Sequence, residues 1–171
     1  SECSSLSQIT IPSSAEIKGN AFRECFKLNE MTIFPHFENK IYYDNKILTS
    51  KDSLHWANPN IEIINIPFIK RIGSYAFNGC SKLTEISIPF SVTSIGDNSF
   101  SKCSSLSQIS FKIPSSVTSI GHFAFKGCSS LKQITIPSSV TSIGNSAFYE
   151  CSLLTQIAIP SSVSSIGNDA F

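Results

Sequence analysis

Residues 128–148 read CSSLKQITIPSSVTSIGNSAF, and most of the chain is this stretch rewritten. Near-copies begin at Cys3, Cys80, Cys103 and Cys151, and a looser one begins at Cys25. Successive cysteines lie 22 residues apart from Cys3, 23 from Cys80, 25 from Cys103 and 23 from Cys128, with a gap of 55 between Cys25 and Cys80. Self-similarity at a fixed period of this size is the mark of a solenoid, in which each repeat forms one coil stacked on the next.

Within one coil, Leu131, Ile134 and Ile136 have the period-2 spacing of a strand with one buried face, and Gln133 and Thr135 point the other way. Pro137 ends the strand, since it cannot donate to a ladder. Val140 and Ile143 return to the interior through a second short extended piece, and Gly144 is expected to supply a left-handed turn. Ala147 and Phe148 are expected on a single helical turn leading to the next cysteine.

A coil of 23 residues cannot stand alone. Ordering each residue costs roughly 1.5 kcal/mol, more than its few apolar side chains recover without neighbours on both faces. Stacking puts like on like, so Phe77, Phe100, Phe125, Phe148 and Phe171 should form one aromatic column. Seven strands, starting near Leu6, Leu28, Ile61, Leu83, Leu106, Leu131 and Leu154, should make one parallel sheet. At roughly 4.8 Å per strand it would be about 30 Å long.

The departures are local. The first unit is one residue short and carries Lys18 where later coils have Gly144. The unit from Cys103 has two extra strand residues, in Ile109–Pro114, which predicts a longer or bulged strand. Residues 36–60 leave the pattern, and their alternation predicts a hairpin packed on the flank of the solenoid. Repeat text runs to both ends without a polar capping unit, so the chain reads as a segment of a longer array, residues 1–171 forming a single solenoid domain.

The recurring pattern L-x-x-I-x-I-P-x-x-V-x-x-I-G-x-x-A-F-x-x-C resembles the repeat of BspA-like leucine-rich repeat proteins. Ser138, Val140, Ile143, Gly144, Ala147, Phe148 and Cys151 stand where that repeat expects them, and KILTSKDSLHWA (residues 46–57) is similar to a hairpin insert that interrupts such arrays. Ser99 departs from the usual alanine. The resemblance implies a right-handed, mostly β solenoid with short helical or 3₁₀ turns, and an adhesin-type role at a cell surface or after secretion, against host or extracellular-matrix proteins. An intracellular scaffold docking a partner protein, or a structural spacer, are the alternatives.

Composition narrows the chemistry. Thirteen Lys and Arg balance twelve Asp and Glu, giving a net charge of +1 with no basic stripe for nucleic acid. No apolar run is long enough to span a membrane, and the first residues carry no signal peptide. The six cysteines recur beside the buried Phe, where parallel side chains favour free thiols over disulfides, and no paired Cys or His spacing suggests zinc. His36, His55 and His122 fall in separate segments, so no catalytic set can be assembled and a non-enzyme without cofactor is expected. The serines after proline (Ser13, Ser14, Ser115, Ser116, Ser138, Ser139, Ser161, Ser162) read as corner residues bonding nearby backbone. No Asn-x-Ser/Thr sequon occurs.

What the repeat leaves variable is the outward strand face. One column reads Gln8, Glu30, Ile63, Glu85, Gln108, Gln133 and Gln156; its neighbour reads Thr10, Thr32, Asn65, Ser87, Ser110, Thr135 and Ala158. Together with Lys132 this is a near-neutral, hydrogen-bonding surface suited to an extended protein contact by a monomer. Asn65 and Ala158 interrupt the Thr column and argue against ice binding. The insert adds Tyr42, Tyr43 and Trp56 as aromatic contact candidates, set against a packing role for the same rings.

Overall fold

The computed structural model describes residues 3–12, 15, 21–23, 25–33, 40–43, 47–50, 52–66, 68–107 and 116–171. The first two coils supply β1 (Gln8–Ile11) and β2 (Glu30–Ile33). The insert supplies β3 (Lys40–Tyr43), β4 (Ile47–Ser50) and β5 (Ser53–Ala57). The array then alternates between a leucine-side strand and a short Ile-ended one: β6 (Ile63–Asn65), β7 (Arg71–Ile72), β8 (Glu85–Ser87) and β9 (Ser94–Ile95). It closes with β10 (Ser119–Ile120), β11 (Gln133–Thr135), β12 (Ser142–Ile143), β13 (Gln156–Ala158) and β14 (Ser165–Ile166). The result is a β-solenoid of about five turns, its coils about 23 residues apart.

The continuous ladder is not on the leucine side. There the strands pair in parallel as β1–β2, β6–β8 and β11–β13, three separate two-stranded pieces among the described residues. The insert lies between the first and second pieces, and residues 108–115, where the longer strand is expected, lie outside the described residues. The long sheet instead runs through the short strands, in the order β14-β12-β10-β9-β7-β5-β4-β3. Ile72, Ile95, Ile120 and Ile143 face inward along it in register.

The insert joins this sheet rather than resting on its flank. β3 and β4 form an antiparallel hairpin, β5 pairs antiparallel with β4, and the far edge of β5 pairs in parallel with β7, Leu54 opposite Ile72. Opposite faces of the insert serve different cores. Ile47, Leu54 and Ala57 join the main core, whereas Leu48 and Trp56 pack with Ile11, Phe22, Cys25, Leu28 and Met31.

The segment expected as a helical turn is not helical; no helix occurs among the described residues. Its backbone is left-handed at Tyr75, Asn98, Phe123, Ser146 and Asp169, with φ between 51° and 61°. Its amides therefore look sideways to the next coil: the N–H groups of Phe77, Phe100, Phe125 and Phe148 donate to the carbonyls of Ser99, Ala124, Ala147 and Ala170 at 2.7–2.8 Å. An inter-coil bond is available to every turn, whereas an isolated helical turn satisfies few of its own groups.

The repeated glycine corrects a second expectation. The left-handed residue is two positions later, at Ser146, and Gly144 is there because the coils nearly touch. A Cβ on Gly144 would lie 2.8 Å from the carbonyl oxygen of Gly121 in the preceding coil. Inside the stack, Phe77, Phe100, Phe125, Phe148 and Phe171 form the expected column, with ring centroids 5.0, 5.2, 5.3 and 5.7 Å apart and planes within 7° of parallel.

Candidate functional site

Side chains also tie coil to coil. The thiols of Cys103, Cys128 and Cys151 donate to the carbonyls of Phe77, Phe100 and Phe125 at 3.1, 3.2 and 3.2 Å. Ser91, Ser116, Ser139 and Ser162 donate from Oγ to Ile69, Val92, Val117 and Val140 at 2.6–2.8 Å. These corner serines bond the preceding coil, 22 to 24 residues back, and not their own turn as expected. Ser13, Ser14 and Ser115 lie outside the described residues.

The six cysteines are free. Burial pushes the Cys80, Cys103 and Cys128 thiols far up and Cys151 to about 11, which makes them poor nucleophiles. Burial, with the neighbouring Cys3 thiol, also raises Cys25. His122 sits in an inter-coil ladder: its N–H donates to Asp97 Oδ1 at 2.8 Å, its Nδ1 accepts from the Asn145 N–H at 2.8 Å, and Asn145 Oδ1 accepts from the Asn168 N–H at 2.9 Å. Among the described residues no group of three or more His, Cys, Asp and Glu could hold a metal ion.

The outward strand face is laid out in register. Gln8 lies opposite Glu30 and donates from Nε2 to Glu30 Oε2 at 2.6 Å. Ile63 lies opposite Glu85 and Asn65 opposite Ser87. Gln133 lies opposite Gln156 and Thr135 opposite Ala158. All of these side chains are exposed, as is Lys132 beside them. Gln108 falls outside the described residues.

The insert's aromatic residues separate. Trp56 is 3% exposed and packs against Phe22 at 6.2 Å between ring centroids. It is a core residue and not a contact residue: the hairpin needs an apolar face of its own to join two clusters. Tyr42 and Tyr43 lie on β3, opposite Leu48 and Ile47.

Two surfaces escaped the sequence reading. Phe68 and Phe90 replace the first corner serine in adjacent coils and are each 79% exposed. On the turn side, a groove of about 530 Å³ crosses several coils beside Phe26, Lys102, Gly127 and Glu150. Its signal was present in the residue before each of the last four cysteines, which alternates between glycine (Gly79, Gly127) and a charged residue (Lys102, Glu150).

The family model described as BspA type leucine rich repeat region matches residues 1–49 and 49–171, in six copies. The chain belongs to the BspA-type leucine-rich repeat family. This repeat array is similar in structure to a leucine rich cell surface protein from Faecalibacterium prausnitzii, with 35% identity and a TM-score of 0.84, over 95% of this chain and 48% of that one. It is similar also to the pneumococcal vaccine antigen PcpA, at 26% identity and a TM-score of 0.84, over 97% of this chain and 44% of that one. A leucine-rich repeat protein from Bacteroides ovatus shares 32% identity at a TM-score of 0.59, over 78% of this chain and 37% of that one. The BspA-type array thus spans about half the length, or less, of these three structures. A search of curated protein sequences returns no match. No helix of the described residues is long and apolar enough to cross a membrane.

Proposed function

We propose that this array is a non-enzymatic protein-binding module of a cell-surface or secreted adhesin, contacting host or extracellular-matrix proteins through its leucine-side strand face. The observation that carries this reading is the register of that face. Gln133 and Gln156 present amides side by side, with Lys132 and Thr135 flanking them, on strands whose backbone is held by the coils beneath. Such a face arrives ordered, so a partner's binding energy is not spent on arranging it. A structural neighbour described as a cell surface protein supports the location.

The test is capture of a panel of immobilised matrix proteins by the array and by its Gln133→Lys/Gln156→Lys variant. Capture that falls at least about tenfold in the variant, the effect of roughly 1.4 kcal/mol, supports the strand face. Unchanged capture removes the site from this face.

A second reading, an intracellular docking scaffold, draws on the free cysteines, which suit a reducing compartment. Titrating thiols in the unfolded, unreduced protein separates the two: six free thiols favour the scaffold, and three disulfides favour export.

A further inference from the structure

Three departures from the repeat's outward letters gather in two neighbouring coils, whose strands β6 and β8 pair in parallel. Ile63 is apolar where the other coils carry Gln or Glu, and Phe68 and Phe90 stand where Ser138 and Ser161 stand later in the array. None of the three turns inward: Ile63 is 61% exposed and each Phe 79%. Large apolar side chains held in water, at positions the repeat otherwise fills with polar ones, mark an interaction surface.

The same two coils set carboxylates beside these residues. Glu85 lies opposite Ile63 across the β6–β8 pair, and Glu62 precedes Ile63. Both are exposed, and neither carboxylate has an ion-pair or hydrogen-bond partner among the described residues. Lys70, two residues after Phe68, is already held by Asp52 at 3.3 Å. The exposed Lys82 lies on the turn before β8, at the opposite end of that strand from Phe90.

We propose that this patch docks a basic, amphipathic segment of a partner protein, with its apolar side chains on Ile63, Phe68 and Phe90 and its lysines or arginines on Glu62 and Glu85. It rests on the protein-binding reading above, but on a different part of the array from Gln133 and Gln156. Charge selects the occupant. Exposed aromatic rings also serve lipid surfaces and single-stranded nucleic acid, but both are anionic, and unpaired carboxylates beside the rings repel them. A second copy of this chain docked face to face would set the same carboxylates against each other. A basic segment instead gives each carboxylate a charge-assisted bond while its apolar side chains cover the rings.

The experiment measures binding of a short synthetic peptide of alternating lysine and leucine to the chain, by fluorescence anisotropy. Saturable binding that weakens as salt is raised is expected. Phe68→Ser/Phe90→Ser should weaken it at least about tenfold, and Ile63→Gln by about threefold. These variants restore letters that other coils carry at exposed positions, so the melting temperature should not move. Glu62→Gln/Glu85→Gln should weaken binding about tenfold and flatten its salt dependence. The proposal is overturned if the lysine–leucine peptide does not saturate, or if Phe68→Ser/Phe90→Ser binds it as the unaltered chain does. It is overturned equally if a glutamate–leucine peptide or oligolysine binds as tightly, if the chain forms a dimer that Phe68→Ser/Phe90→Ser dissolves, or if these rings bind anionic vesicles. A chain that binds the peptide through Phe68 and Phe90, yet whose capture of matrix proteins is unchanged by Gln133→Lys/Gln156→Lys, would leave this inference standing and remove the strand-face reading.

Discussion

The thiol of Cys128 donates to the carbonyl of Phe100, one coil back, at 3.2 Å. The same bond joins Cys103 to Phe77 and Cys151 to Phe125, so these three cysteines bind their coils to the preceding ones. A thiol fits here because it is small, apolar enough for the core and still able to donate.

Those thiols make stability depend on alkaline pH. Well below the ordinary thiol value of 9.0 the folded and unfolded chains both hold the proton, and the contribution is fully present. Above it the unfolded chain ionises first while the folded chain keeps its thiols protonated, to about 11 at Cys151 and higher at Cys80, Cys103 and Cys128. Raised folded values therefore mean stability lost as pH rises. The melting temperature should fall steadily from about pH 8.5 upward, and the Cys103→Ala/Cys128→Ala variant should show a shallower slope. A flat profile through that range would contradict the burial of these thiols.

Phe125 stacks between Phe100 and Phe148 at 5.2 and 5.3 Å. Phe125→Ala should destabilise the array by about 3–5 kcal/mol, since neighbours held by inter-coil bonds cannot collapse into the void. Phe125→Leu should cost less, because the branched side chain leaves a smaller void than a methyl does. Urea denaturation of the three proteins measures both; equal stability of Phe125→Ala and the parent would refute the column's role.

Ser99 occupies the alanine position of its coil, and its Oγ is fully buried without a hydrogen-bond partner among the described residues. Ser99→Ala should raise stability by about 1 kcal/mol, by removing an unsatisfied hydroxyl without opening a void. The change is read as an upward shift in melting temperature. A downward shift would mean the hydroxyl is satisfied.

Gly144 tests the spacing of the coils. At a relaxed position Gly→Ala stabilises by roughly 0.4–1 kcal/mol through the unfolded chain. Here the new methyl meets the backbone of Gly121 and His122, which the ladder below holds in place. Gly144→Ala should therefore destabilise, with a lowered denaturation midpoint.

Much of this was legible because a repeat states its own alignment. The spacing of Phe77, Phe100, Phe125 and Phe148 implies a column before any coordinate is known, and like residues then stack in the order predicted. The alternation of Gln133, Ile134 and Thr135 likewise places two side chains out and one in. Such inferences hold because burial and strand period are local properties of the text.

Three features were not legible, for a common reason. The role of Gly144, the direction of the corner serines' hydrogen bonds and the fate of Trp56 all depend on which backbone lies in the next coil, and at what distance. Gly144 looks like a turn residue until Gly121 is seen beneath it; Ser139 looks self-capping until the Val117 carbonyl is within reach. For Trp56 the sequence leaves contact and packing both open, and the Phe22 ring beside it decides for packing. Pattern and period sufficed for the coil and its stacking, because hydrophobic burial is read along the chain. Contacts between coils settled the turns, the insert and the groove, because hydrogen bonds and close packing act across space between residues some 22 or more positions apart.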